Sequence, residues 1–447
     1  MNFLLNLSKK TKIILIVLCC LFLLLTALLF FLLPGDKKEV ASNQNSTDSS
    51  SNLPTAGELP PLSALISSPP LSSVSDVSSN EETPIQQEKL KGVWVSYLEL
   101  GPMLQGKTKD EFSASFDSAM SFVNDMGFDT VFVQVRPFGD ALYPSKHYPW
   151  SHLVTGTRGT EPDFDPLELM LEITGRYGLS FHAWLNPYRI TANIDSFSIS
   201  ASDPIAARSD VLSCDNGLYL NPASESAQSL IVAGAKELLE SYPEIDGIHL
   251  DDYFYPTTDA AFDQDSYASY LSSGGTLSLS KWRTNQVTSL IKQLYRCTKQ
   301  AGPQKLFGIS PAGNMQTVIS NHYVDLERLV ADDAALDYIC PQIYFGFQNQ
   351  TMPFESVYDD WKALCLDKPC SLFVGLPFYK SGKEDAWAGS GKDEFLTPGV
   401  LSRMTALLLS EKDCAGLVFY SLDSLMQTNE ISAIDLANCK GRLLANQ

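Results

Sequence analysis

The chain predicts an α/β fold, a (β/α)8 TIM barrel preceded by a transmembrane helix and a disordered linker. Three observations carry that expectation. One unbroken apolar run lies near the start, a stretch rich in Ser, Pro, Asn and Thr follows it, and β-like runs then alternate with helix-period runs eight times.

Residues 13–33 are apolar except for Thr26, with Cys19 and Cys20 inside the run, and this is about the length a helix needs to cross a bilayer. Lys9, Lys10 and Lys12 precede the run, whereas Lys37 and Lys38 behind it are offset by Asp36 and Glu39. The positive-inside rule therefore places 1–12 in the cytoplasm and everything after 33 outside the cell membrane. A cleaved signal peptide is the alternative; the length of the apolar core and the lack of a small-x-small site favour a single-pass anchor. Residues 34–88 show no apolar period and cannot offset the entropy of folding, so they read as a flexible tether. As a coil such a tether reaches roughly 40 Å, and fully extended near 170 Å.

From 89 to 447 the barrel begins. Strand candidates fall at 92–97, 130–135, 180–185, 247–251, 306–309, 338–343, 372–376 and 416–421. Helix-period stretches lie between them at about 109–126, 165–177, 224–241, 280–298, 324–331, 354–366 and 398–410, with a short one after Asp423. An open doubly wound sheet would want a glycine-rich phosphate turn after its first strand, and Tyr97-Leu98-Glu99-Leu100 is not one.

Composition limits the partner. With 52 acidic against 32 basic residues and a net charge of −20, the chain lacks the clustered cations that nucleic acid requires. No Cys-x-x-Cys occurs among the nine cysteines, which read as small buried hydrophobes; Cys365 and Cys370 are the one close pair that invites a bridge. No spacing of His, Asp and Glu resembles a metal site, and no cofactor is implied.

Barrel enzymes keep their working groups at the C-terminal ends of the strands. Read on the inward parity, the second strand offers Gln134 and Arg136, with Asp140 following, and the third offers His182, Trp184 and Asn186, with Arg189 following. His249 and Asp251 come from the fourth, with Asp252 and Tyr253 just beyond. Ser310 and then Asn314 follow the fifth, Gln342 and Tyr344 belong to the sixth, and Tyr420 to the eighth, with Asp423 past its end. Taken singly, each has a plain structural explanation as a core aromatic, a satisfied histidine or an ion-pair partner. Polar groups on one parity near one end of so many strands are harder to explain that way, because buried polar groups are costly without partners. A polar mouth lined by aromatic rings suits a sugar, whose ring hydrogens stack on aromatic faces and whose hydroxyls need donors and acceptors.

Cleaving a glycosidic bond requires an acid and a second group that attacks or activates water. Asp251 is the expected essential carboxylate, with Arg136 or His249 placed to tune it and Asp252 as its partner; Glu99, Asp140 and Asp423 are the alternatives for the second group.

Several spaced motifs, Val93-Trp94, Gln134-Val135-Arg136-Pro137, Trp184-Leu185-Asn186-Pro187-Tyr188-Arg189, Asp246 to Tyr253 and Pro341-Gln342-Ile343-Tyr344, occur in order between about 90 and 424. In these the chain resembles glycosyl-hydrolase-like family 10. The resemblance implies an exported or surface-attached barrel acting on peptidoglycan strands stripped of stem peptides. As residues of the polar mouth and the turns just beyond it, Gln134, Arg136, Asp140, Trp184, Asn186, Arg189, His249, Tyr253, Asn314, Gln342, Tyr344 and Tyr420 are expected to serve the substrate. The chain departs from the family pattern at Met315, where a Trp is frequent. The fourth-strand motif is also similar to that of family 18 chitinases, with Tyr253 standing where their catalytic Glu would be. Other readings are a glycosidase on an exopolysaccharide or other glucan, and a barrel that binds carbohydrate without cutting it.

Overall fold

The computed structural model describes residues 88–191, 199–200, 202–214, 217–251 and 254–445. The expected cytoplasmic segment, membrane span and nearly all of the tether lie outside the described residues. Among the described residues no helix is long and apolar enough to cross a membrane.

Eight parallel strands close into a barrel. They are β1 (Leu90–Val95), β2 (Thr130–Arg136), β3 (Ser180–Leu185), β6 (Gly247–Leu250), β7 (Leu306–Ile309), β8 (Tyr338–Ile339), β9 (Ser371–Leu376) and β10 (Gly416–Phe419). Their order around the barrel is β1-β10-β9-β8-β7-β6-β3-β2, and β4 (Val211–Cys214) and β5 (Gly217–Leu220) form a separate antiparallel hairpin in the loop after β3.

Strand parity sorts the core into two layers. Val93, Val95, Val131, Val133, Val135, Ile248, Leu250, Val374 and Leu417 face outward into the apolar layer beneath the helices. Inside the barrel lies a second cluster of Trp94, Phe132, Trp184, Tyr338, Cys340, Phe373 and Val418. Aromatic rings need more room than the branched aliphatics that usually fill such barrels, and interior glycines provide it. A methyl group at Gly308 would stand 2.2 Å from the Tyr338 ring, and one at Gly375 2.7 Å from Trp94.

The helices start where the sequence places caps. Ser96 and Glu99 form a capping box that opens Tyr97–Leu104, Thr108 and Glu111 do the same for Lys109–Asp125, and Asp165 with Pro166 opens Pro166–Arg176. The first of these overrides the expectation that the first strand runs to 97. The sixth strand is likewise shorter than expected. Pro341 has no N–H to give the ladder, and the chain rejoins it only through single bridges from Gln342 to Ala312 and Gly375. Where one short helix was expected after Asp423, two occur, Leu422–Met426 and Glu430–Leu444. Cys365 and Cys370 form no bridge with each other, and both are buried free thiols.

Two histidines sit in the barrel interior rather than in its mouth. The Trp94 indole N–H donates to His249 Nε2 at 3.1 Å, which assigns the His249 proton to Nδ1. That proton is donated to the Tyr338 hydroxyl at 2.9 Å, and the hydroxyl in turn donates to His182 Nδ1 at 3.2 Å. Burial holds His182 down to about 3 and His249 well below its ordinary value, with the neighbouring His182 adding to the latter. Both rings therefore stay neutral in the folded state and become protonated on unfolding near pH 6.5. Because the unfolded chain binds more protons below that pH, this stability is complete above it and declines as pH falls toward the folded values. Denaturant titrations from pH 7 to 5 should show a loss approaching about 1.4 kcal/mol per pH unit for each histidine. His182→Gln should flatten that slope; an unchanged slope would contradict the neutral-ring chain.

Candidate active site

At the C-terminal end of the barrel, Trp94, Trp184, Asp251, Ser310, Gln342, Tyr344, Tyr379 and Tyr420 line a cavity of about 210 Å³. Seven of the eight strands contribute, either from their own inward positions or from the first residues beyond their ends.

Among the described residues, Asp251 is the carboxylate that lines this mouth. It follows β6 directly and is 5% exposed. Trp184 Nε1 donates to its Oδ2 at 3.0 Å, and Asn186 Nδ2 donates to Oδ2 at 2.9 Å and to Oδ1 at 3.2 Å. An indole N–H can only donate, so Oδ2 is fixed as an acceptor and the carboxylate plane is held. Asn186 is oriented in turn, because its Oδ1 accepts from the Arg189 backbone N–H at 3.3 Å.

Tyrosines build the opposite wall. Tyr344, Tyr379 and Tyr420 meet pairwise with ring centroids 5.7 to 6.0 Å apart. Lys380 pins two of the loops involved, donating to the Tyr344 carbonyl at 2.7 Å and to Asp385 at 2.7 Å. Burial, reinforced by Asp385, pushes the Tyr379 hydroxyl up to about 12, so it is a neutral phenol throughout the physiological range. Gln342 is held by donating to the Ser310 carbonyl at 3.0 Å.

The remaining expected residues lie elsewhere. Arg136 does not reach Asp251, because the ladder slips between Gln134 and Arg136 and pairs Arg136 with Leu185, an outward-facing position. Its guanidinium is buried, 4.4 Å over the Tyr148 ring on the far side of the strand from the mouth. Gln134 supports the wall from behind, accepting from the Tyr97 N–H at 3.0 Å. His249 lies beneath the mouth with both nitrogens engaged, as described above. Arg189 donates to the Pro137 carbonyl and stacks 4.8 Å over Phe138. Asn314 caps a short helix through the Thr317 N–H. Asp252 and Tyr253 lie outside the described residues.

Two of the alternative second carboxylates are occupied structurally. Glu99 accepts from Ser96 and from the Ser421 hydroxyl, and it is 6% exposed. Asp140 is fully buried, accepts from the Phe138 N–H at 2.9 Å and stands 3.5 Å from Arg158. Asp423 is exposed on the far side of the tyrosine wall.

Tyr379 and Trp94 join the mouth beyond the substrate residues expected from the sequence. Tyr379 lies in the turn Phe378–Lys380 beyond β9, where strand parity has ended. An aromatic pair behind Pro377 at a strand end was the available signal. Trp94 was visible as an aromatic on the inward parity of the first strand.

Comparison with known proteins agrees with this geometry. The family model described as Glycosyl hydrolase-like 10 matches residues 89–388. Glycosyl hydrolase YngK of Bacillus subtilis (strain 168) is 33% identical over 341 residues, covering 72% of this chain and 66% of that protein, so the chain spans just under two thirds of YngK. Glycosyl hydrolase DigH of Escherichia coli (strain K12) is 30% identical over 356 residues, covering 71% of this chain and 80% of DigH. Among solved structures, the catalytic domain of β-amylase from Paenibacillus polymyxa superposes with a TM-score of 0.51 over 81% of this chain and 99% of that one, at 10% identity, a likeness of fold alone. With a closed barrel, an aromatic mouth and a family match spanning most of that barrel, the chain belongs to the glycosyl hydrolase-like 10 family.

Proposed function

We propose that this protein is a membrane-tethered glycoside hydrolase that cuts cell-wall glycan outside the cytoplasm, with peptide-free peptidoglycan strands as its substrate. The observation that carries the catalytic part is Asp251, oriented by Trp184 and Asn186 within an aromatic cavity sized for a sugar ring. The family and the glycosidase-like barrel support the reaction class. The apolar run at 13–33 and the tether after it support the location.

In this reading Trp94, Trp184 and the three tyrosines receive the ring faces, while Ser310 and Gln342 exchange hydrogen bonds with hydroxyl or acetamido groups. Asp251 acts at the anomeric centre, as attacking carboxylate, as base toward water or as support for a substrate acetamido group. Asp252 is its proton-donating partner. With Glu99 and Asp140 tied into the fold, Asp423 is the described alternative for that role. Arg136 has no part in the mouth, because the β2 bulge turns it away.

One observation favours a second reading. Asp251 is the single carboxylate lining the mouth among the described residues, which is also what a barrel that binds glycan without cutting it would show. Mass spectrometry of products from a panel of glycans with and without N-acetyl and lactyl groups separates the two. Hydrolysis should yield oligosaccharides one water heavier than their anhydro mass, most abundantly from peptide-free peptidoglycan. Binding without any released fragment would establish the second reading, and release confined to a glucan would overturn the choice of substrate.

A further inference from the structure

The mouth does not end at its tyrosine wall. Tyr379 and Tyr420 also line a second cavity of about 600 Å³, whose other sides include Leu98 from the segment after β1, Lys383 from the loop after β9, and Asp423 and Gln427 from the segment after β10. The two cavities therefore share a partition made of phenol rings.

Volume separates their capacities. At about 210 Å³ the mouth is smaller than the roughly 300–1,000 Å³ that usually encloses a drug-sized ligand. It takes one sugar ring. The neighbouring cavity falls within that range, and its lining has the same mixed character as the mouth. Tyr379 and Tyr420 offer part-exposed rings, Lys383 offers a donor and Asp423 offers an acceptor. Lys383 and Asp423 are both exposed, and among the described residues Lys383 has no ion pair. Glu99, at the back, is already committed to Ser96 and Ser421 and stabilises the partition.

We propose that the second cavity is a saccharide subsite, holding the unit or units of a glycan chain that lie beyond the ring seated over Asp251. This rests on the glycan reading of the mouth and extends it: the barrel grips a chain across the Tyr379–Tyr420 partition, so recognition grows with chain length. Leu98 is 59% exposed and lines the second cavity without lining the mouth. Leu98→Trp therefore fills that cavity while leaving the mouth open.

Calorimetric binding of a β-1,4-linked N-acetylglucosamine dimer and hexamer to the full chain carrying Asp251→Asn tests this without any need for turnover. The hexamer should bind about tenfold or more tightly than the dimer, an advantage worth about 1.4 kcal/mol. Adding Leu98→Trp should erase the advantage and leave the dimer unchanged, and Lys383→Ala should erase part of it. Equal affinity of the two probes, no binding of either, or a Leu98→Trp effect of the same size on both would overturn the subsite. Failure of the catalytic reading has a different signature. A chain-length dependence that Leu98→Trp abolishes, in a native protein that releases no fragments, would keep the subsite and remove the hydrolase. Fragment release with no length dependence would do the reverse.

Discussion

Asp251→Asn is expected to lower glycan turnover by roughly 10²–10⁴-fold, the range attributed to a positioned acid or base, with the barrel still folded. The local geometry sharpens this expectation. Asn186 Nδ2 and Trp184 Nε1 both donate to the native carboxylate, so an amide at 251 turns one nitrogen toward a donor. A buried mismatch of that kind costs about 1–3 kcal/mol, and thermal unfolding must be measured beside kinetics. The double variant Asp251→Asn, Asn186→Asp reverses the donor and acceptor and should regain stability without regaining turnover, because the carboxylate has moved. Recovery of both would show that Asp251 serves only the fold. Companion variants address the proton donor. Asp252→Asn should slow natural glycan strongly and an aryl glycoside little, since a phenolate leaves without a proton; that pattern in Asp423→Asn instead would transfer the role.

The second large effect concerns stability. Arg283 and Asp263 form a buried pair, Nη2 to Oδ1 at 2.5 Å and Nε to Oδ2 at 3.0 Å, with Tyr255 donating to the same carboxylate. The guanidinium further donates to the Tyr323 hydroxyl at 3.0 Å and the Asp259 carbonyl at 2.6 Å, and it lies 4.9 Å from the Tyr255 ring. These contacts fasten the loop that follows Asp251 to the helix Leu279–Ala301. Asp263→Ala leaves the cation buried and uncompensated, and should destabilise the barrel by about 3–5 kcal/mol. Denaturant unfolding reads this directly, and a loss below about 1 kcal/mol would show that the pair is solvated or replaceable.

Legibility in the sequence followed the reach of strand parity. The barrel was readable because apolar residues alternate on its strands, as Val131, Val133 and Val135 do, while helix-period stretches separate them. Parity also brought Trp184, Asp251, Gln342, Tyr344 and Tyr420 to one mouth. It failed at Arg136 because a one-residue bulge reverses the facing of everything after it, and nothing in Gln134-Val135-Arg136 marks the slip. It could not rank depth either: His249 shares parity with Asp251, yet lies one layer lower, where Trp94 and Tyr338 engage both nitrogens. Asp140 and Glu99 are carboxylates at strand ends whose commitments to Phe138, Arg158, Ser96 and Ser421 depend on loop packing. The hairpin of β4 and β5 and the Tyr379 turn lie in loops, where neither period applies.

Cleavage of a glycosidic bond over Asp251 is tested most directly by a crystal structure of Asp251→Asn with a peptidoglycan-type oligosaccharide. A pyranose ring should lie between Trp94, Trp184 and Tyr420, with its anomeric carbon or acetamido group about 3 Å from the side chain at 251. A glycan bound elsewhere on the barrel, with the mouth left empty, would contradict it.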